Sequence, residues 1–248
     1  MKTLLFAKRN AKEILRDPLN FLFGLGFPLV LLALLSVINA NIPPQANNTM
    51  FAIENLAPGA ATFGCVFMAL FSGMLLAKDR ASSFLMRLFT SPMKPFDFIL
   101  GYTLPIIVLA TAQSVITFLA ALAFGLSFSA NILLALLVLL PNSVLYVGIG
   151  LLCGSLMNDK AVGGVCGALL TNVAGWLSGV WFPLDLAGKG FKAVASFLPF
   201  YHGAESAKAA LSGAYASILP HLAIVIAYAL VIYVLAVLVF WRKMKSDK

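Results

Sequence analysis

Charged side chains are scarce in this chain. Asp, Glu, Lys and Arg make up 10% of its 248 residues, against roughly a quarter in soluble domains, which excludes an ordinary soluble fold. No Gly-x-x-x-x-Gly-Lys-Ser/Thr stretch occurs, so the chain has no such loop with which to cradle a nucleotide phosphate. The interiors of its long apolar runs hold no Asp, Glu, Lys or Arg. That argues against an ion-coupled transporter and against an intramembrane protease built on paired acids or a metal. Cys65, Cys153 and Cys166 all fall inside apolar runs without metal-ligand spacing. They read as small core residues and supply no disulfide framework. His202 and His221 lie near the ends of apolar segments, apart in sequence and without a matching set of acids, and read as interfacial residues.

What remains is apolar. The hydrophobic share is 61% and the mean hydropathy +0.98, gathered into runs of about 20 residues, the length that crosses a bilayer as a helix. The fold class expected is an all-α polytopic membrane protein in one domain, 1–248. Six transmembrane helices are expected near 19–39, 59–77, 98–124, 131–157, 161–180 and 219–240. A basic amphipathic arm, 1–17, precedes them and should lie in the headgroup plane. On its helical projection Leu4, Ala7, Ala11, Ile14 and Leu15 share one arc, and Phe6 breaks the pattern. Pro28 is expected to kink the first span, and Asn158 or Asp159 to cap the fifth. The segment 181–218, broken by Pro183, Gly188, Gly190 and Pro199, reads as short helices dipping at the interface. Fourteen of the 17 Lys and Arg residues fall on the arm, the 78–97 loop, the 158–160 turn and the tail. Cationic residues collect on cytoplasmic loops, so both termini and the 78–97 loop are expected in the cytoplasm. The net charge of +8 is explained this way, with no nucleic acid implied.

Within the 78–97 loop, Phe84, Leu85, Leu88 and Phe89 fall near one face of a short helix, with Asp79, Arg80 and Arg87 largely elsewhere. An exposed amphipathic helix of this kind suits a groove on a partner, and equally the membrane surface. Phe63, Phe67 and Phe71 repeat at four-residue intervals along the second expected span and give it an aromatic stripe. Gly150 with Gly154, Gly163 with Gly167, and Gly175 with Gly179 each form a GxxxG pair, expected to bring helix backbones close within the monomer.

Several motifs, in this order, resemble those of the ABC-2-type permeases, membrane subunits of bacterial ATP-binding-cassette exporters of drugs and antibiotics. They are Arg16-Asp17-Pro18; Arg87-Leu88, Ser91-Pro92-Met93 and Phe98-Ile99-Leu100-Gly101; Ser178-Gly179-Val180-Trp181-Phe182-Pro183-Leu184; Phe197-Leu198-Pro199-Phe200-Tyr201; and the helix 203–211. The family often has Glu and Gly early in the loop, where this chain has Asp79, Arg80, Ala81 and Ser82. The resemblance implies a permease that is not itself an enzyme and works as a homo- or heterodimer with separate ATPase subunits, which would bind ATP and Mg. It implies that the arm is a connecting helix and that Asp79, Arg80, Phe84, Leu85, Arg87, Leu88 and Phe89 belong to an ATPase-coupling helix. It implies a translocation path lined by Phe63, Phe67, Phe71, Thr171, Asn172 and Trp176, and an extracellular gate at Trp181, Phe182 and Pro183. The location implied is the bacterial inner membrane. Apolar spans and the aromatic stripe suit an amphiphilic or hydrophobic cargo such as a drug, peptide or lipid; a polysaccharide path would also be aromatic. A secondary transporter and a non-transporting scaffold or immunity protein stand as rivals, the first disfavoured because no internal repeat is evident.

Overall fold

The computed structural model describes residues 2–18, 22–43, 51–82, 84–85, 88, 93–182 and 184–246. Among them the only regular structure is helical. The arm is α1, Lys2–Arg16. A π-helical stretch, Leu22–Gly26, leads into α2, Phe27–Ala40. Pro28, which lacks an N–H, falls at the start of α2, so the backbone adjustment expected at this proline lies in the wide turn before it. Then come α3, Ile53–Ala81; α4, Pro95–Ala123; and α5, Asn131–Leu156. A helical run follows in three parts: α6, Asp159–Val162; a π-helical stretch, Gly163–Leu169; and α7, Leu170–Leu177. A 3₁₀ turn, Leu184–Ala187, α8, Lys189–Phe197, and α9, Pro199–Ser212, precede the final α10, Tyr215–Ser246.

Among the described residues, five helices are long and apolar enough to cross a membrane: Leu22–Ala40, Ile53–Ala81, Pro95–Ala123, Asn131–Leu156 and Tyr215–Lys243. The chain is an all-α polytopic membrane protein. The expected span 161–180 is the run from α6 to α7, which at about 1.5 Å per residue reaches roughly 28 Å. It is interrupted by the π stretch and diluted by Asn158, Asp159, Lys160, Thr171 and Asn172, and so does not match the other five in length and apolarity. Asn158 caps its start, its side-chain oxygen accepting from the Ala161 N–H at 2.9 Å.

α3 is the axle of the fold, buried along most of its length. Glycine fixes its contact with α5. A Cβ on Gly150 would stand 2.0 Å from the Ala69 carbonyl oxygen, and one on Gly154 2.4 Å from that of Gly73. Ser72 Oγ, bonded within its own helix to the Met68 carbonyl at 2.7 Å, also lies 3.2 Å from the carbonyl of Val147 on α5. The Gly150 and Gly154 pair thus packs two helices of the same chain together, whereas a Cβ on Gly163 would meet nothing within 4 Å. Gln113, Ser114 and Thr117 of α4 turn inward as a buried polar stripe, with Gln113 Nε2 3.1 Å from Thr117 Oγ1. α9 is short yet largely buried, and Gly213, in the left-handed conformation at φ +79°, ends it.

Candidate functional site

The densest polar arrangement lies where the arm meets the ends of α3 and α4. One face of α1 carries Phe6, Ala7, Asn10 and Ile14 into the core. This differs from the expected arc: Leu4 and Leu15 are exposed, and Phe6, the residue that breaks the sequence pattern, is the anchor. Phe6 meets Tyr102 edge-on at 4.9 Å and Phe98 at 5.7 Å. Gly101 makes room for it, since a Cβ there would lie 2.3 Å from the Phe6 ring. Asn10 Nδ2 donates to the Gly101 carbonyl at 3.0 Å. Asp97, in the first turn of α4, accepts from Thr3 Oγ1 at 3.1 Å and from the Lys94 N–H at 2.9 Å.

Next to this contact Arg9 grips Asp79 with both ends of its guanidinium, Nη1 to Oδ2 at 2.5 Å and Nη2 to Oδ1 at 2.8 Å. The paired geometry is the stronger form of the arginine–carboxylate bond. Tyr102 Oη donates to Asp79 Oδ2 at 2.8 Å, Glu13 pairs with Arg9 at 2.5 Å, and the Arg9 guanidinium lies 4.2 Å above the Phe84 ring. Burial pulls Arg9 down, but the hydrogen bond and charge of Asp79, with Glu13 behind it, outweigh this and hold it above its ordinary value. It is therefore cationic at any physiological pH. Asp79 is 3% exposed, and its carboxylate is spent on two other elements of its own chain, α1 and α4.

Arg80, Phe84, Leu85 and Leu88 of the loop are also turned inward. Arg80 Nη1 donates to the Gly154 carbonyl at 2.7 Å, a cation at the carbonyl-rich C-terminus of α5. Leu85 is 1% exposed, and Phe84 and Leu88 pack on the same core. The described part of the apolar face expected to stand free for a partner, Phe84, Leu85 and Leu88, instead packs on the protein's own body, while Ala81 and Ser82 are exposed. Arg87 and Phe89 lie outside the described residues.

Along the membrane-spanning part, Phe63, Phe67 and Phe71 are each about 5% exposed or less. The first span covers them: Phe27 lies 5.9 Å from Phe63 and 5.5 Å from Phe67, Phe23 lies 6.1 Å from Phe67, and a Cβ on Gly24 would touch Phe71. Trp181 closes one end of this seam, 5.1 Å from Phe63 and seated on Gly175. Phe182 leaves the seam and lies 6.0 Å from Phe191 of α8; Pro183 lies outside the described residues. Asn172 and Trp176 project from α7, Trp176 at 58% exposure, and Thr171 is half-buried. Phe23 and Phe27, partly exposed on the same chain surface that carries the seam, were not singled out in the sequence. Their four-residue spacing was the available signal.

The architecture is that of a polytopic membrane protein whose amphipathic arm is bolted to the loop between two of its spans. The family model for ABC-2 type transporters matches residues 1–212, and the chain belongs to that family as a membrane-spanning permease component. Permeases of this family work with ATP-binding-cassette subunits, and this component is not the ATPase. No curated protein matches the chain.

Proposed function

We propose that the chain is the permease of an ATP-driven exporter in a bacterial inner membrane, paired with a second permease copy and with separate ATPase subunits. In this reading the arm, the loop after α3 and both termini face the cytoplasm, as the Lys and Arg distribution favours. ATP and Mg are bound by the ATPase partner. The observation that carries the reading is the junction of Arg9, Asp79, Tyr102 and Phe84, which ties the loop to the arm on a chain without a phosphate-binding loop of its own.

The proposed mechanism follows from that connectivity. The ATPase docks on the polar side of the loop, beside Ala81 and Ser82, and closes when it binds nucleotide. The loop moves with it. Because Asp79 holds Arg9 through two hydrogen bonds, the arm moves too and draws the first span with it. The aromatic seam between Phe23, Phe27 and the Phe63, Phe67 stripe then parts, and Trp181 swings from its seat on Gly175. Asn172 and Trp176 form the rest of the lining on the exposed surface, where the second copy completes the path. Its apolar and aromatic walls suit an amphiphilic or hydrophobic cargo.

The test is to purify the permease with its cassette ATPase, reconstitute the complex, and measure cargo-stimulated ATP hydrolysis and cargo movement. The proposal expects movement that needs ATP and stops when the ATPase's hydrolytic residue is removed. Cargo movement by the permease without the ATPase would overturn it.

A further inference from the structure

At the end of the bundle away from the arm, the chain's only two histidines meet. His202 on α9 and His221 in the second turn of α10 place their Nδ1 atoms 2.7 Å apart. His202 Nε2 lies 2.8 Å from the Ser196 carbonyl oxygen. A carbonyl only accepts, so Nε2 carries the proton and the His202 Nδ1 lone pair points at His221. His221 therefore supplies the single proton shared across the contact. Tyr201 fixes both ring planes, edge-on at 5.3 Å to His202 and 5.8 Å to His221. His202 is buried, whereas His221 is half-buried and reachable from outside the chain.

This is how a metal-binding imidazole is prepared. One ring nitrogen donates to a backbone carbonyl, which fixes the tautomer and orients the other nitrogen for an ion. We propose that His202 and His221 form a site for one divalent transition ion of the imidazole-preferring class, with Zn²⁺ the physiological candidate. The ion takes the place of the shared proton and binds both Nδ1 atoms. The Nδ1 proton of His221 moves to its Nε2, both rings bind neutral, and no oxidant or reductant is involved. Zinc–nitrogen bonds of about 2.0–2.1 Å near the tetrahedral angle put two ligand nitrogens about 3.3 Å apart, so the rings part by roughly half an ångström. Among the described residues no third His, Cys, Asp or Glu joins the pair in a metal-holding group. The nearby Glu205 carboxylate is engaged by Lys208 at 2.9 Å, so water completes the shell. Mg²⁺ and Ca²⁺, which take oxygen ligands, are excluded. A bound ion clips α9 to α10 and resists motion between them. The site goes beyond the transport proposal and does not depend on it.

The test is calorimetric titration of ZnCl₂ into the full chain purified without a polyhistidine tag, at neutral pH. One ion per chain is expected, with no heat from MgCl₂. His221→Gln and His202→Gln should each weaken binding more than about tenfold. His221 is only half-buried, so its variant serves if the buried His202→Gln fails to fold. Absence of zinc binding, or equal affinity in the histidine variants, which would assign the ion to cysteine thiols, overturns the proposal.

Discussion

Asp79 concentrates the physics of this protein in one side chain. Its carboxylate accepts two hydrogen bonds from Arg9 and one from Tyr102 while almost fully buried. Removing one partner of a buried charge pair leaves the other unpaired, a larger penalty than the net worth of the pair. Asp79→Asn and Arg9→Gln should each destabilise the purified chain by about 2 kcal/mol, in the range for hydrogen bonds to charged groups. The double variant should lose clearly less than the sum, because the two act as one unit. Thermal unfolding in detergent checks this. Gly101 offers a second residue-scale test. A Cβ there would stand 2.3 Å from Phe6, so Gly101→Val should expel the ring and free the arm, seen as faster proteolysis at residues 2–16 than in wild type. In the sequence Phe6 reads as a flaw in an amphipathic pattern. Periodicity sorts residues by the angle around their own helix, and only the tertiary contact with Gly101 and Tyr102 shows that the flaw is the anchor.

At the scale of elements, the sequence made most spans legible because crossing a bilayer demands an unbroken apolar run. The expected 98–124 and 131–157 compare with Pro95–Ala123 and Asn131–Leu156. The run through α6 and α7 was harder to judge, since its glycines and polar residues accommodate a π stretch and lower its apolarity. The loop after α3 was legible as an amphipathic segment, yet not the direction of its greasy face. Leu85 is apolar whether it meets a partner or the body, and only the fold shows that it meets the body. The aromatic seam was half legible. The stripe of Phe63, Phe67 and Phe71 stood out, but that Phe23 and Phe27 cover it depends on the packing of one helix against another. The glycine pairs give a discriminating prediction. Gly150→Leu drives a side chain into the Ala69 backbone and should cost about 1–3 kcal/mol or more by overpacking. Gly163→Ala meets open space and should be neutral or stabilising by up to about 1 kcal/mol. Unfolding midpoints of the two variants beside wild type test the pair, and equal destabilisation would contradict the assigned packing.

The whole molecule has an asymmetric design. One end gathers the arm, the loop and their ion pair, and the opposite end folds α8 and α9 back onto α10 through His202, His221 and the Tyr228 hydroxyl, which donates to the Phe197 carbonyl at 2.8 Å. Between them lies a body with few charges. In the proposed mechanism, work is done on the protein at the end that holds the arm, and its result is expressed along the spans. Trp176 is more than half exposed, and in the proposed function its surface is completed by a second copy. Trp176→Ala should therefore reduce cargo-stimulated ATP hydrolysis several-fold while leaving the unfolding midpoint of the isolated chain within about 0.5 kcal/mol of wild type. The most direct measurement is the number of cargo molecules moved per ATP hydrolysed by reconstituted complexes carrying Asp79→Asn or Arg9→Gln. If the arm receives its motion through this pair, hydrolysis persists within about threefold while cargo moved per ATP falls at least about tenfold, a loss of roughly 1.4 kcal/mol in coupling. Complexes with either variant that moved as much cargo per ATP as wild type would contradict the account.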